Sequence, residues 1–397
     1  MTASELDKLI DWLMGGAKTA PTPNRVLSDL CEGLVAAGVP LWRVGIFVRT
    51  LHPDAFGRSF VWRPGEDVVI TAAGFDLPES DQFRQSPLAI LYGSGHEVRY
   101  RLDDPDSRRF PFFDDMRAEG VTDYIALPLP FTEGSMHATS WTTKAAGGFT
   151  DEQLAALRRI IPPFARLAEI YALRRTAATL LDTYVGNRAG ERIMAGQIRR
   201  GHAESMQAAI WLSDLRGFTA LSDRLAADTV VDILNQYFDC QVPAIRKHGG
   251  EILKFMGDGL LAVFPIARDS GNLDEVCGRV LKAAREAKTE VDAMQYPSGE
   301  TIERFRFGVA LHIGEILFGN IGGMSRLDFT CIGPAVNLAA RLEKIAGKLG
   351  RTVVASSAFA GASATGWTDL GEFPIAGFSK AQRVFGLQDE AGLDAAR

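Results

Sequence analysis

The chain has 397 residues, 46% of them hydrophobic and 23% charged, and a formal net charge of −6. That length exceeds one ordinary core and predicts two domains, while the composition excludes wholesale disorder. The acidic balance argues against duplex nucleic acid as the main partner, because neutralising phosphates needs a concentrated basic face.

The cysteines, Cys31, Cys240, Cys277 and Cys331, are far apart and form no CxxC pair, which suits thiols in a reducing compartment better than a disulfide frame or zinc site. The opening segment MTASELDKLIDWLMGG is acidic and lacks a long apolar stretch, so it does not read as a secretory signal. No apolar run approaches the ~20 residues that span a bilayer. The expectation is a cytoplasmic protein with no membrane span.

Helical spacing of Leu6, Ile10, Leu13 and Met14 predicts a first helix over 3–15. After a Pro-rich break from Ala20 to Asn24, a second helix runs through Val26, Leu27, Leu30 and Leu34 to Gly38. Residues 42–51, 58–64, 66–73 and 97–102 then read as strands, and 123–131 with 135–144 as a hairpin around Glu133-Gly134. Thr150 and Gln153 form a capping box for a long helix whose first half, through Pro162-Pro163, packs on the sheet. Beyond the prolines Ile170, Leu173, Ala177, Leu180 and Tyr184 follow a coiled-coil spacing. Either a parallel dimer helix or a helix packed within its own domain fits that run. The stretch 184–201, YVGNRAGERIMAGQIRRG, reads as a hinge. His52, His96 and His137 lack metal-site spacing.

A new strand begins at Met206 and ends at Asp214, followed at once by RGFT (216–219). The carboxylate of Asp214 can reach a metal, and the backbone of Leu215, Arg216, Gly217, Phe218 and Thr219 can meet phosphate oxygens. A strand-Asp-turn is equally a common structural cap. Residues 249–264 read as a hairpin with Asp258 at its tip and Lys254 in an otherwise apolar strand, where an unpaired ammonium is costly unless the face opens on water or a ligand. Residues 305–323 read as strand, Gly turn, strand. Gly333-Pro334 opens a helix on which Asn337 and Arg341 are one (i, i+4) step apart, opposite Val336, Leu338 and Leu342. That face serves a substrate or is simply solvated.

Taken in order, SDLRGFT, KFMGDG and DFTCIGPAVNLAAR resemble class III nucleotide cyclases, a similarity running from about Met206 to Leu387. The resemblance implies a ferredoxin-like α+β domain that acts as a homodimer with active sites at the subunit interface. It further implies that Asp214 and Asp258 hold two Mg2+ (or Mn2+) ions per site. Lys254 and Thr330 would recognise adenine, Asn337 would position the ribose, and Arg341 would neutralise the transferring phosphate. A Lys/Thr pair favours ATP over GTP as substrate. Pro334 stands where many relatives carry an acid, and Ala376 where the family often has a basic residue for the triphosphate, with Lys380 or Arg383 as substitutes. Residues 24–168 resemble GAF domains in pattern, through GGFTDEQLAALRRI before the long helix. That resemblance implies a sensor for an unknown small-molecule effector.

The expected organisation is therefore α+β throughout. A GAF-like antiparallel sheet domain occupies 1–168, a signalling helix and transducer hinge 169–205, and a cyclase domain 206–390. The expected activity is ATP to cyclic AMP and pyrophosphate. A guanylate cyclase, a nucleotide-binding module without turnover, and a receptor with secondary catalysis are the alternatives.

Overall fold

Period-two alternation of side chains organises both halves of this chain, and helices cover each sheet where that alternation leaves apolar faces. The structure is a computed structural model describing residues 3–267, 273–298, 301–363 and 366–390. Contacts divide it into two units, Met1–Leu180 and Leu181–Arg397, and the chain passes between them within the helix Asp151–Val185.

In the first unit, β1 (Arg43–His52), β2 (Ala55–Trp62), β3 (Val69–Ala73), β4 (Val98–Arg101), β5 (Asp123–Pro130) and β6 (Met136–Thr143) form one antiparallel sheet in the order β3-β2-β1-β6-β5-β4. Val44, Ile46 and Val48 face the helices Ala3–Met14, Pro23–Ala36 and Asp151–Val185. Tyr124, Ala126 and Ala138 bury into a second cluster on the other face, with Leu91, Phe110 and Phe113. The capping box forms as expected: the Thr150 amide donates to Gln153 Oε1 at 3.0 Å, and the Gln153 amide to Thr150 Oγ1 at 3.3 Å. The long helix runs unbroken through Pro162 and Pro163. Leu157, Ile160 and Phe164 are buried before and after them, whereas Ile170, Leu173, Leu180 and Tyr184 are exposed.

The second unit carries β7 (Ala203–Leu215), β8 (Glu251–Met256), β9 (Gly259–Ile266), β10 (Gln295–Ser298), β11 (Thr301–Arg304), β12 (Phe307–Gly322), β13 (Leu327–Ile332), β14 (Val353–Ser356), β15 (Trp367–Phe373) and β16 (Gln382–Leu387). Its main sheet runs β15-β16-β14-β12-β7-β9-β8, with β13 paired to β12, and β10 and β11 form a separate hairpin. Helices Ala227–Asp239 and Val242–Lys247 connect β7 to β8, and Leu273–Ala293 connects β9 to β12. The core β12-β7-β9-β8 is therefore a βαββαβ unit of ferredoxin-like order. Ala209 and Trp211 face the Leu273–Ala293 helix, while Ala208, Ile210 and Leu212 face the opposite side with Ala335 and Ala339 of the helix Pro334–Leu349.

Two expectations change. Residues 307–322 form one continuous strand, not two strands about a glycine turn. Gly314 lies inside it opposite Ala208, and a Cβ there would stand 2.5 Å from the Ala335 Cβ. That glycine is needed for close approach of the helix Pro334–Leu349, not for a turn. The stretch read as a hinge also contains a helix, Asn187–Met194, whose Ala189 is fully buried against the sheet of its own unit. Gly186, at φ 88°, separates it from the long helix, and the Arg188 amide donates to Glu251 Oε1 at 3.2 Å.

Gly314→Ala is expected to lower stability by about 1–3 kcal/mol through overpacking. Ala335→Gly in the same chain should recover part of that loss, because the two positions share one gap. Urea unfolding of the single and double variants measures both effects, and additive losses would contradict the close approach.

Candidate active site

β7 ends in Ser213, Asp214 and Leu215, and Ser213 pairs with Leu260 of β9. That register sets the end of β7 beside the tight turn joining β8 to β9, where Gly257 takes φ 67° and Asp258 follows. The two carboxyls meet there. Burial, then the negative charges of Asp258 and Glu343, push Asp214 up to about 7. Two acids forced together form a poor arrangement without a cation, and their oxygens are donors that suit a divalent ion. A hard cation such as Mg2+ takes one or two protein carboxylates and completes its shell with water and phosphate oxygens. Among the described residues no group of three or more His, Cys, Asp or Glu forms a fuller cage. The donor set therefore fits a hard cation that takes its remaining oxygens from outside the protein.

Arg216 follows this acid but does not point at an outside anion. Its Nη1 lies 2.7 Å from Glu343 Oε1, an ion pair lacking well-aligned hydrogen-bond geometry, and its Nη2 donates to the Glu343 carbonyl at 3.4 Å. Glu343 is buried, which raises its carboxyl, and Arg216 opposes that rise. The guanidinium passes through a corridor kept open by two glycines. A Cβ on Gly308 would fall 1.7 Å from Nη2, and one on Gly347 2.5 Å from Nη1. The Arg216 amide is also committed, donating to the Arg306 carbonyl at 2.8 Å, and Leu215 is a buried core residue. Of the five turn residues expected to meet phosphate, Leu215 and Arg216 thus serve the fold. Gly217, at φ 75°, Phe218 and Thr219 open the short helix Phe218–Ser222.

Lys254 departs from expectation in another way. A bulge between Ile252 and Lys254 turns Leu253 inward and leaves Lys254, Phe255 and Met256 all exposed. Its Nζ lies 2.7 Å from Asp328 Oδ2, so the ammonium has a carboxylate partner. That hydrogen bond holds the Asp328 carboxyl below its usual range. Thr330 is two residues further along β13, on the same face of the strand, and pairs with Gly319. Lys254, Asp328 and Thr330 therefore share one edge.

Asn337 and Arg341 form a third group. Pro334 starts their helix, and both side chains are exposed while Leu338 and Leu342 are buried and Val336 half-buried. They line a cavity of about 570 Å3 with Lys344, Ala376 and Phe378. Lys344 was not singled out from sequence, although it continues the same face three residues beyond Arg341. Lys344 brings a second basic side chain to the wall it shares with Ala376. Neither Lys380 nor Arg383 lines this cavity, and Arg383 Nε is 3.1 Å from Asp369 Oδ2. Asp214 and Asp258 do not line it either.

Residues 202–387 match the family described as the adenylate and guanylate cyclase catalytic domain. The chain is 31% identical over 158 residues to an adenylate cyclase of Anabaena cylindrica, covering 40% of this chain and 31% of that protein. It is 33% identical over 172 residues to adenylate cyclase 1 of Rhizobium meliloti, covering 43% of this chain and 25% of that protein. The match thus spans less than a third of either relative. Among solved structures, a bacterial light-regulated adenylyl cyclase is 25% identical, covering 47% of this chain and 92% of that one with a TM-score of 0.41.

The Asp214 shift sets a pH dependence. Between an unfolded value near 3.9 and its folded value of about 7, the folded chain holds a proton that the unfolded chain has lost. Metal-free stability therefore falls as pH rises through that window. Asp214→Asn should remove this slope and stabilise the metal-free chain at pH 8 by about 1 kcal/mol after solvent screening, a rise of ~2–4 °C in Tm. The same variant should lose the Tm increase that Mg2+ gives the parent. Thermal melts at pH 5 and 8, with and without Mg2+, test this, and an undiminished Mg2+ response in the variant would place the cation elsewhere.

Proposed function

We propose that the second unit converts ATP to 3′,5′-cyclic AMP and pyrophosphate, working as a homodimer whose output is set by the first unit. The observation that carries this reading is the Asp214–Asp258 pair at the strand end, in a region matching nucleotide cyclases. In the reaction the ribose 3′-oxygen bonds to the α-phosphorus, the hydroxyl proton leaves, and the bond to pyrophosphate breaks. Divalent cations held by Asp214 and Asp258 would neutralise phosphate charge and acidify the attacking hydroxyl.

The remaining roles fall to side chains of this chain. Arg341 is permanently charged and planar, which suits the charge spread over the phosphate oxygens as the bond changes. Asn337, one turn away, can hold the ribose. Lys344, on the same cavity wall, takes the triphosphate role that Ala376 cannot fill. Gly217–Thr219 supplies the backbone that approaches the phosphates. Lys254 donates to adenine N1 and Thr330 meets the 6-amino group, with Asp328 aiming the Lys254 ammonium. Guanine presents an N–H and a carbonyl at those edges and fits this donor set less well.

Dimerisation is supported by the separation of the acid pair from the cavity of Asn337 and Arg341, since a complete site then draws on two chains. Apolar side chains at Phe255, Met256, Leu317 and Ile332 are exposed on this unit, as an unpartnered interface would leave them. For the first unit, the six-stranded antiparallel sheet and its helices support a GAF-like sensor. The exposed seam of Ile170, Leu173, Leu180 and Tyr184 supports a dimer helix that transmits register.

Purified protein offered ATP or GTP with Mg2+ or Mn2+ should make cyclic AMP from ATP. Asp258→Ala should abolish the product, and Arg341→Ala should cost about a hundredfold in kcat. Lys344→Ala should raise KM for ATP, while Lys380→Ala leaves it unchanged. Cyclic GMP as the main product would overturn the base assignment, and ATP binding without turnover would favour a regulatory module. Inserting one residue after Ala178 should change the rate if the helix transmits register, and an unchanged rate would remove that link.

A further inference from the structure

The first unit contains a cavity that the cyclase chemistry does not use. It lies between the sheet and the helices, encloses about 290 Å3, and is walled by the start of the helix Pro23–Ala36, by β1 and β2, and by the long helix from Phe164 to Arg175. Its lining is mainly aliphatic, with Val26, Leu27, Ile46, Val48 and Leu167 forming much of the surface. A void with that lining favours an apolar guest.

Two charged side chains interrupt the apolar wall. Arg58 projects from β2 on the side shared with Phe60, and Arg175 comes from the long helix. Among the described residues no aspartate or glutamate lines the cavity. Two arginines from separate elements thus line an apolar space without a lining counter-charge, and a guanidinium is a planar fork of donors that matches a carboxylate. An apolar side chain from a second copy would fill the void but leave both cations unanswered. A neutral lipid would do the same.

We propose that this cavity binds a small amphipathic anion, a medium-chain carboxylate whose acyl chain fills the aliphatic pocket and whose head meets Arg58 and Arg175. The site is independent of the nucleotide chemistry of the second unit. One wall is the helix that continues to Val185, so the guest packs directly on Phe164, Ala168 and Ala172 of the segment leading out of this unit.

Isothermal titration of the full chain with decanoate, decanol and decyltrimethylammonium, each below its micelle concentration, tests the proposal. Decanoate should bind about tenfold or more tighter than decanol, since charge-assisted contacts to two arginines separate them, and the cation should not bind. In Arg58→Gln/Arg175→Gln, decanoate should fall to the affinity of decanol while decanol itself is unchanged, with far-ultraviolet circular dichroism confirming the fold. Equal affinity for decanoate and decanol in the parent would reduce the site to an apolar void. Decanoate binding that survives the double variant, or no binding to the parent, would overturn it.

Discussion

The ladder between β7 and β12 runs from Ala203 opposite Gly319 to Leu215 opposite Phe307, and the second unit is arranged around it. One end delivers Asp214 to the hairpin turn that carries Asp258. The other end of β12 continues into its pairing with β13, which places Asp328 and Thr330 near Lys254. Both faces of the ladder are covered by helices, so a shift of register by one residue would exchange the two buried faces along the whole strand. The geometry of the acid pair is therefore fixed by the packing of the entire sheet, not by the turn alone.

A carboxylate pair of this kind destabilises the chain that carries it. Asp214 is raised to about 7 because burial and two neighbouring acids oppose its charge. The positive charge of Arg216 opposes that rise, and Glu343 holds its guanidinium. Removing Arg216 would leave Glu343 as an uncompensated buried charge, which typically costs about 3–5 kcal/mol. The pair thus keeps a positive group close to the acids, but one engaged by Glu343 that offsets the Asp214 rise only in part. It also ties the end of β7 to the helix bearing Asn337 and Arg341, since Glu343 lies two residues beyond Arg341.

Much of the site was legible locally. The tip position of Asp258, the shared face of Asn337 and Arg341, and the Thr150–Gln153 capping box each depend on residues within one turn or hairpin. Lys344 was equally legible in principle, because it continues a spacing already noted, but no local signal says that Ala376 lies across from it. Lys254 was read as an ammonium in an apolar strand, since a β-bulge is invisible to strict alternation. The stretch 305–323 reads as strand, glycine turn, strand because glycine between apolar runs has that meaning when the helix pressing on Gly314 is unknown.

The sequence by itself determined the order of strands and long helices in the first unit, the acids at strand ends and the polar face of the Pro334–Leu349 helix. Those follow from periods of two and of about 3.6, which any short window displays. Only the tertiary structure decided that Arg216 turns inward to Glu343, that Asp328 holds Lys254, and that Arg58 and Arg175 converge on one cavity. Each of these joins residues far apart in the chain or on different elements. Such meetings are set by which strands pair and in what register, a choice made by burial of the whole core and not written in any single segment.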